Sequence, residues 1–157
     1  MVERRVVILV TALAFGSLAG CGSKEQVILS ASVEDATLMV ESTALTTELV
    51  GSFRLVLSLG EYAADPSTVG LGTFSLERDA QVLLSPLTLD ATPAFPITVG
   101  VGKTERVAVS ITGSVGEPEL AADLCAGELS ITGTVTDSLT DERPRTLSSG
   151  RFPPDCP

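Results

Sequence analysis

The chain has 157 residues, and its 20 acidic against 10 basic side chains give a formal net charge of −10 at pH 7. Because nucleic-acid binding needs a basic surface, this balance argues against nucleic acid as a partner. The chain contains no His and no Trp, and its single Tyr is Tyr62. Imidazole bases, His-ligated zinc and aromatic stacking platforms are therefore excluded, and the composition indicates no cofactor.

The first twenty residues have the layout of an export signal. Arg4 and Arg5 precede a short apolar run from Val6 to Phe15, and small residues follow the run. A helix that crosses a bilayer needs about 20 apolar residues, which is more than this run offers. The pattern therefore predicts a signal helix within residues 1–20 that is removed on export.

The segment closes with Leu18-Ala19-Gly20-Cys21, which resembles the lipobox of bacterial lipoproteins. The resemblance implies that the Cys21 sulfur, a soft nucleophile, receives a diacylglycerol. It also implies that a lipoprotein signal peptidase recognises Leu18, Ala19 and Gly20 and cuts before Cys21, and that the new amino terminus accepts a fatty acyl chain such as palmitate. Gly22 stands where enterobacterial lipoproteins retained at the inner membrane carry Asp, which implies the outer membrane. The alternative is a bare thiol at Cys21 after a conventional signal peptide.

The remainder divides into a short tether over residues 21–26, which begins with the lipidated Cys21, and one domain over residues 27–157. Apolar and polar residues alternate repeatedly in this domain, and a period of two predicts half-buried strands. Turn residues, mostly Gly and Pro, separate the runs. The alternating runs, about seven or eight strands in all, are 27–33, 38–40, 53–59, 68–71, 74–76, 97–101, 107–111 and 129–135.

One stretch, Pro118 to Leu124, favours a helix of at most two turns, because Pro stands near its start and Ala126-Gly127 follow its end. Many short strands with Gly and Pro turns are typical of an all-β sandwich or barrel, and a single small helix at a strand crossover is compatible with the sandwich.

Two segments resemble parts of immunoglobulin-like domains. Residues 95–109 are similar to a hairpin common in extracellular members: a Pro-led strand, a Gly turn and an alternating strand. Residues 51–55, followed by Leu59-Gly60, are similar to an inner strand. The resemblance implies an immunoglobulin-like antiparallel β-sandwich. The chain lacks the core Trp and the inter-sheet Cys pair of antibody domains, so it resembles a relative of those domains.

Cys125 and Cys156 are the two cysteines that remain after Cys21. In an exported domain an even number of cysteines predicts a disulfide. A hairpin that pairs these two positions turns at Thr140-Asp141, where an alternating run gives way to polar residues. A redox or metal-binding thiol pair is the weaker interpretation, because there is no CxxC spacing and no His.

Acidic pairs such as Glu61 with Asp65 come nearest to a catalytic or metal-binding signal. No calcium-loop spacing, Gly-x-Ser-x-Gly elbow or Ser-x-x-Lys motif accompanies them. We therefore predict no enzyme activity, no catalytic residue and no metal site. The chain is interpreted as a lipid-anchored structural or protein-interaction module of a bacterial cell envelope, attached to the membrane through Cys21, with an envelope protein as a candidate partner. The alternative is a calcium or small-ligand binding module that uses the acidic loops.

Overall fold

The computed structural model describes residues 29–43, 45–116 and 118–157. The predicted signal helix, the lipobox and the tether therefore lie outside the described residues. Within the described ranges there are nine strands and one α-helix. They are β1 (Leu29–Ser42), β2 (Thr47–Leu59), β3 (Ser67–Arg78), β4 (Gln81–Leu84), β5 (Thr88–Thr92), β6 (Ile97–Val99), β7 (Thr104–Val115), α1 (Pro118–Cys125), β8 (Ser130–Asp137) and β9 (Arg145–Ser148).

The strands form two antiparallel sheets that pack face to face. One sheet has the order β1-β2-β7-β5 and the other has the order β4-β3-β8-β9, while the short β6 pairs with the first residues of β3. These are the strand orders A-B-E-D and C′-C-F-G of an immunoglobulin-like sandwich, with β6 as an addition. The predicted all-β sandwich is confirmed.

The predicted hairpin over residues 95–109 is wrong. β6 pairs with β3 in one sheet, whereas β7 lies between β2 and β5 in the other. The turn that joins them, in which Gly102 has a φ of 67°, therefore carries the chain from one sheet to the other. The local pattern of strand, Gly turn and strand was correct, but it holds no information on which sheet receives each strand.

The core lies between the sheets and is filled by the inward residues of each alternating strand. In β2, for example, Phe53, Leu55 and Leu57 are buried while Arg54 is exposed. Phe53 of one sheet stacks on Phe74 of the other with ring centroids 5.4 Å apart. Burying such a side chain contributes about 1.5–3 kcal/mol. Burial of the inward residues of each strand therefore stabilises the packing of the two sheets.

The short helix α1 links β7 to β8 across one end of the sandwich, as the sequence predicts. Its Ala121 and Leu124 are buried against the core, and Glu119 and Asp123 face solvent. The helix therefore closes this end of the core with one apolar face.

The sandwich has two ends, which we name by a residue in each. The Leu29 end carries the start of β1 and the loops 60–66, 100–103 and 138–144. The Leu45 end carries the β1–β2 turn, the β3–β4 turn and α1. β1 runs through 14 residues from the first end to the second.

Candidate functional site

The predicted lipidation site Cys21 and the peptidase-recognition residues Leu18, Ala19 and Gly20 lie outside the described residues. The first described residue, Leu29, begins β1, and its carbonyl oxygen accepts a hydrogen bond from Arg145 Nη1 at 2.6 Å. Seven residues stand between Cys21 and Leu29, and at about 3.3–3.6 Å each they reach at most about 25 Å. No helix in the described part of the chain is long and apolar enough to cross a membrane.

Cys125 and Cys156 form a disulfide, with their Cα atoms 6.1 Å apart. Cys125 is the last residue of α1, so the bond ties the C-terminal segment to the Leu45 end. The predicted turn near Thr140-Asp141 also agrees with the structure. β8 and β9 form a hairpin, and Asp141 adopts a left-handed conformation in the loop between them.

The C-terminal segment, residues 152–156, is also held along the edge of β1. Asp155 forms a parallel bridge to Met39. The Asp155 backbone N–H donates to the Leu38 carbonyl oxygen at 2.8 Å, and the Asp155 carbonyl oxygen accepts from the Val40 N–H at 2.9 Å. Phe152 forms a second bridge, to Leu129. The end of the chain thus forms a wall beside β1.

A groove of about 570 Å³ lies between this wall and the β1–β2 hairpin. It is lined by residues 36–39 of β1, residues 50–52 of β2, and Phe152, Pro153 and Asp155 of the C-terminal segment. The pairing register of β1 shifts between Glu34 and Thr37, which indicates a bulge at one end of the groove. Opposite the bulge stands Gly51, where a Cβ would lie only 2.5 Å from the Thr37 backbone oxygen.

Two exposed apolar side chains line the groove, and a third lies in the turn of the same hairpin. Met39 and Val50 are cross-strand partners that are 38% and 50% exposed, and Leu45, in the turn of the same hairpin, is 82% exposed. Single apolar side chains on a surface are ordinary, but apolar side chains grouped around a groove are typical of a contact surface. The groove, together with Met39, Val50 and Leu45, is called the hairpin groove.

Acidic side chains border the hairpin groove, and none of its lining segments contains Lys or Arg. Glu41 and Glu48 are exposed cross-strand partners, and like charges in this position repel each other. Asp155 lines the groove itself. The two arginines nearest in sequence already have carboxylate partners: Arg54 pairs with Asp35 at 2.5 Å and Arg151 pairs with Asp79 at 3.1 Å.

Charge is distributed unevenly along the sandwich. In the described ranges, four bases have no ion-pair partner: Lys103, Arg106 and Arg143 lie at the Leu29 end, and Arg78 lies at the Leu45 end, where it donates to the Asp123 backbone oxygen. The Leu45 end has eight described carboxylates against two arginines. These carboxylates are Glu41, Glu48, Glu77, Asp79, Glu119, Asp123, Glu128 and Asp155. The hairpin groove therefore lies in the more negative half of the molecule.

Asp137, which was not among the predicted site residues, is almost completely buried at the end of β8. Its oxygens accept from the Leu139 N–H at 3.0 Å and from the Thr140 hydroxyl at 2.8 Å, and Arg145 Nε lies 3.3 Å away. These contacts stabilise the turn after β8, so the Asp137 carboxylate has a structural role. An Asp-Ser pair at the end of an alternating run was the available signal for such a turn.

The acidic loop residues that were candidates for ligand binding lie apart from the groove. Glu61 and Asp65 are both exposed in the loop between β2 and β3, at the Leu29 end, together with Tyr62. Across the described ranges, no group of three or more Asp, Glu or Cys side chains is placed to hold a metal ion.

The hairpin groove was not predicted, although the sequence contains a signal for it. Leu38-Met39-Val40 and Leu49-Val50 interrupt the alternation with consecutive apolar residues. Because neighbouring side chains of a strand point to opposite faces, one residue of each run must face solvent. Comparisons of this chain with protein-family models, with curated proteins and with solved structures find no match.

Proposed function

We propose that this chain is a lipid-anchored, non-enzymatic lipoprotein of a bacterial cell envelope, placed at the outer membrane, that works through contacts with another protein. The observation that carries the proposal is Leu18-Ala19-Gly20-Cys21 directly after a basic start and a short apolar run. Each buried methylene group contributes about 0.8 kcal/mol, and one acyl chain binds a membrane only reversibly. Two or three chains on Cys21 would keep the domain at the bilayer.

The geometry of the domain supports this proposal. Only seven residues separate Cys21 from Leu29, so the Leu29 end is the end nearest the lipid. The hairpin groove lies toward the opposite end of β1, where a partner can reach it without meeting the membrane. An anchored domain that presents an apolar groove away from its anchor has the arrangement of a docking module.

The test is metabolic labelling of the expressing bacterium with an alkyne analogue of palmitate. We expect the full chain to take up the label and the Cys21→Ser variant to lose it. Cys156→Ser is the matched control, because it removes a different sulfur and leaves the lipobox intact. Membrane fractionation alone is not sufficient, since an uncleaved apolar run would also hold the chain at the membrane.

A mass spectrum of the N-terminal peptide completes the test. The expected peptide begins at Cys21 and carries the diacylglycerol. Label retained by Cys21→Ser, a mature peptide that still begins at Met1, or an unmodified thiol on Cys21 would each overturn the proposal.

A further inference from the structure

The hairpin groove combines an apolar floor with an acidic border. Its lining is mostly apolar, from Leu38 and Met39 through Val50 to Phe152 and Pro153, with Asp155 as its charged member. Glu41 and Glu48 form the cross-strand pair two residues beyond Met39 and Val50, on the same outward face of the sheet. An occupant must therefore bury apolar side chains in the groove and face carboxylates at its border.

A second copy of this chain does not fit these requirements. The chain has a net charge of −10, and a symmetric pair of grooves would bring Glu41, Glu48 and Asp155 of one copy toward the same residues of the other. Like charges brought together in an interface oppose association. Four bases in the described part of the chain have no ion-pair partner. Lys103, Arg106 and Arg143 are at the Leu29 end, far from the groove, and the Arg78 guanidinium already donates to the Asp123 backbone oxygen.

We propose that the hairpin groove binds a cationic amphipathic segment of another protein, in which aliphatic side chains alternate with Lys or Arg. The aliphatic side chains cover Met39, Val50 and the apolar lining, and the basic side chains pair with Glu41, Glu48 and Asp155. This inference deepens the proposed function, since it names the chemistry of the partner, but the contact itself does not require the lipid.

The test measures binding of a fluorescein-labelled heptapeptide, Lys-Val-Lys-Val-Lys-Val-Lys, to the full mature protein purified in a nonionic detergent. Fluorescence anisotropy at low ionic strength gives the dissociation constant. We expect binding that weakens as salt is added, because the charges are exposed and screened. The same peptide with Glu in place of each Lys is expected not to bind.

Two matched substitutions locate the binding site. Val50 and Val82 are equally exposed, at 50% and 53%, but Val82 is in β4 of the other sheet. Val50→Lys is expected to weaken binding of the peptide about tenfold or more, since it places a like charge inside the contact. Val82→Lys is expected to leave the dissociation constant unchanged. Both side chains face solvent, and equal melting temperatures would show that both variants fold.

Removal of negative charges at the border of the groove is a second test of the binding site. The double variant Glu41→Gln with Glu48→Gln is expected to weaken binding and to reduce its dependence on salt. Glu61→Gln with Asp65→Asn, at the Leu29 end, removes the same charge and is expected to have no such effect. No binding by the native protein, equal loss in the Val50 and Val82 variants, equal binding of the Glu peptide, or a dimer that Val50→Lys dissociates would each overturn the inference. Acyl labelling of Cys21 is measured separately, so failure of the anchor and failure of the groove are distinguishable.

Discussion

Gly133 lies directly beneath the ring of Phe74. The two residues are cross-strand partners in β8 and β3, and a Cβ on residue 133 would stand 2.2 Å from Phe74 Cδ1. The missing side chain lets the ring lie across β8 and reach Phe53 of the facing sheet, 5.4 Å away between centroids. This contact between a glycine and an aromatic ring occupies the centre of the core.

Gly133→Ala is therefore expected to destabilise the domain. The new methyl group must displace a buried ring, and overpacking of this kind typically costs about 1–3 kcal/mol. Urea unfolding followed by circular dichroism measures the change in free energy. Gly150→Ala is the control, because a Cβ there has no neighbour within 4 Å. Equal stability of the two variants would contradict the packing described here.

Gly51→Ala is expected to disturb the hairpin groove as well as stability. A Cβ at residue 51 would meet the backbone oxygen of Thr37 at 2.5 Å, and a backbone atom cannot rotate away as a side chain can. We expect a loss of about 1–3 kcal/mol in unfolding free energy and weaker binding of the basic heptapeptide. Gly113→Ala, in the neighbouring strand, is the control, since its Cβ would only touch Leu49 at 3.8 Å.

Removing the disulfide is expected to loosen the C-terminal wall of the groove. The bond joins residues 31 positions apart, and closing a loop of this kind contributes about 2–4 kcal/mol. The double variant Cys125→Ser with Cys156→Ser should unfold at lower urea concentration and exchange the Asp155 amide hydrogen faster. Reductant added to the native protein should reproduce the shift in stability, and reductant added to the variant should change nothing. A native protein that is insensitive to reductant would contradict a stabilising role.

Arg145 and Arg151 provide a comparison of a buried with an exposed ion pair. Arg145 neutralises Asp137, which is almost completely buried, whereas both partners of the Arg151–Asp79 pair are exposed. Arg145→Gln leaves a buried carboxylate without its cation and is expected to cost about 1–3 kcal/mol. Arg151→Gln is expected to change the free energy of unfolding by less than about 1 kcal/mol. Thermal or urea unfolding of both variants checks the ranking, and a reversed order would contradict it.

The sequence predicted the strands that bury one face and missed those that do not. β2, β7 and β8 alternate clearly, because every second residue is in the core. The four or five residues of β4, β5 and β9 contain at most one fully buried side chain each, so their pattern is weak. β3 was predicted as two separate strands and β1 as one or two, since a shift of register inside each one reverses the alternation.

Features that depend on contacts between residues distant in the sequence are not encoded in the local residue pattern. The pairing of Cys125 with Cys156 was predictable because only two cysteines remain after Cys21. The hairpin groove depends on the C-terminal segment returning to β1, more than 110 residues away along the chain. Nothing near Met39 in the sequence indicates that contact, although the unbroken apolar run around it does indicate an outward apolar side chain.

The layout of β1 also bears on mechanical strength. The described chain begins at the Leu29 end, while Cys156 is tied to α1 at the other end, so a stretching force applied between them acts nearly parallel to β1. β1 is paired with β2 over most of its length. Tension in this direction would load those interstrand hydrogen bonds together in shear, instead of opening them one after another. We therefore expect the domain to unfold at a higher force when it is pulled along the axis that joins its two ends than when it is pulled across the strands.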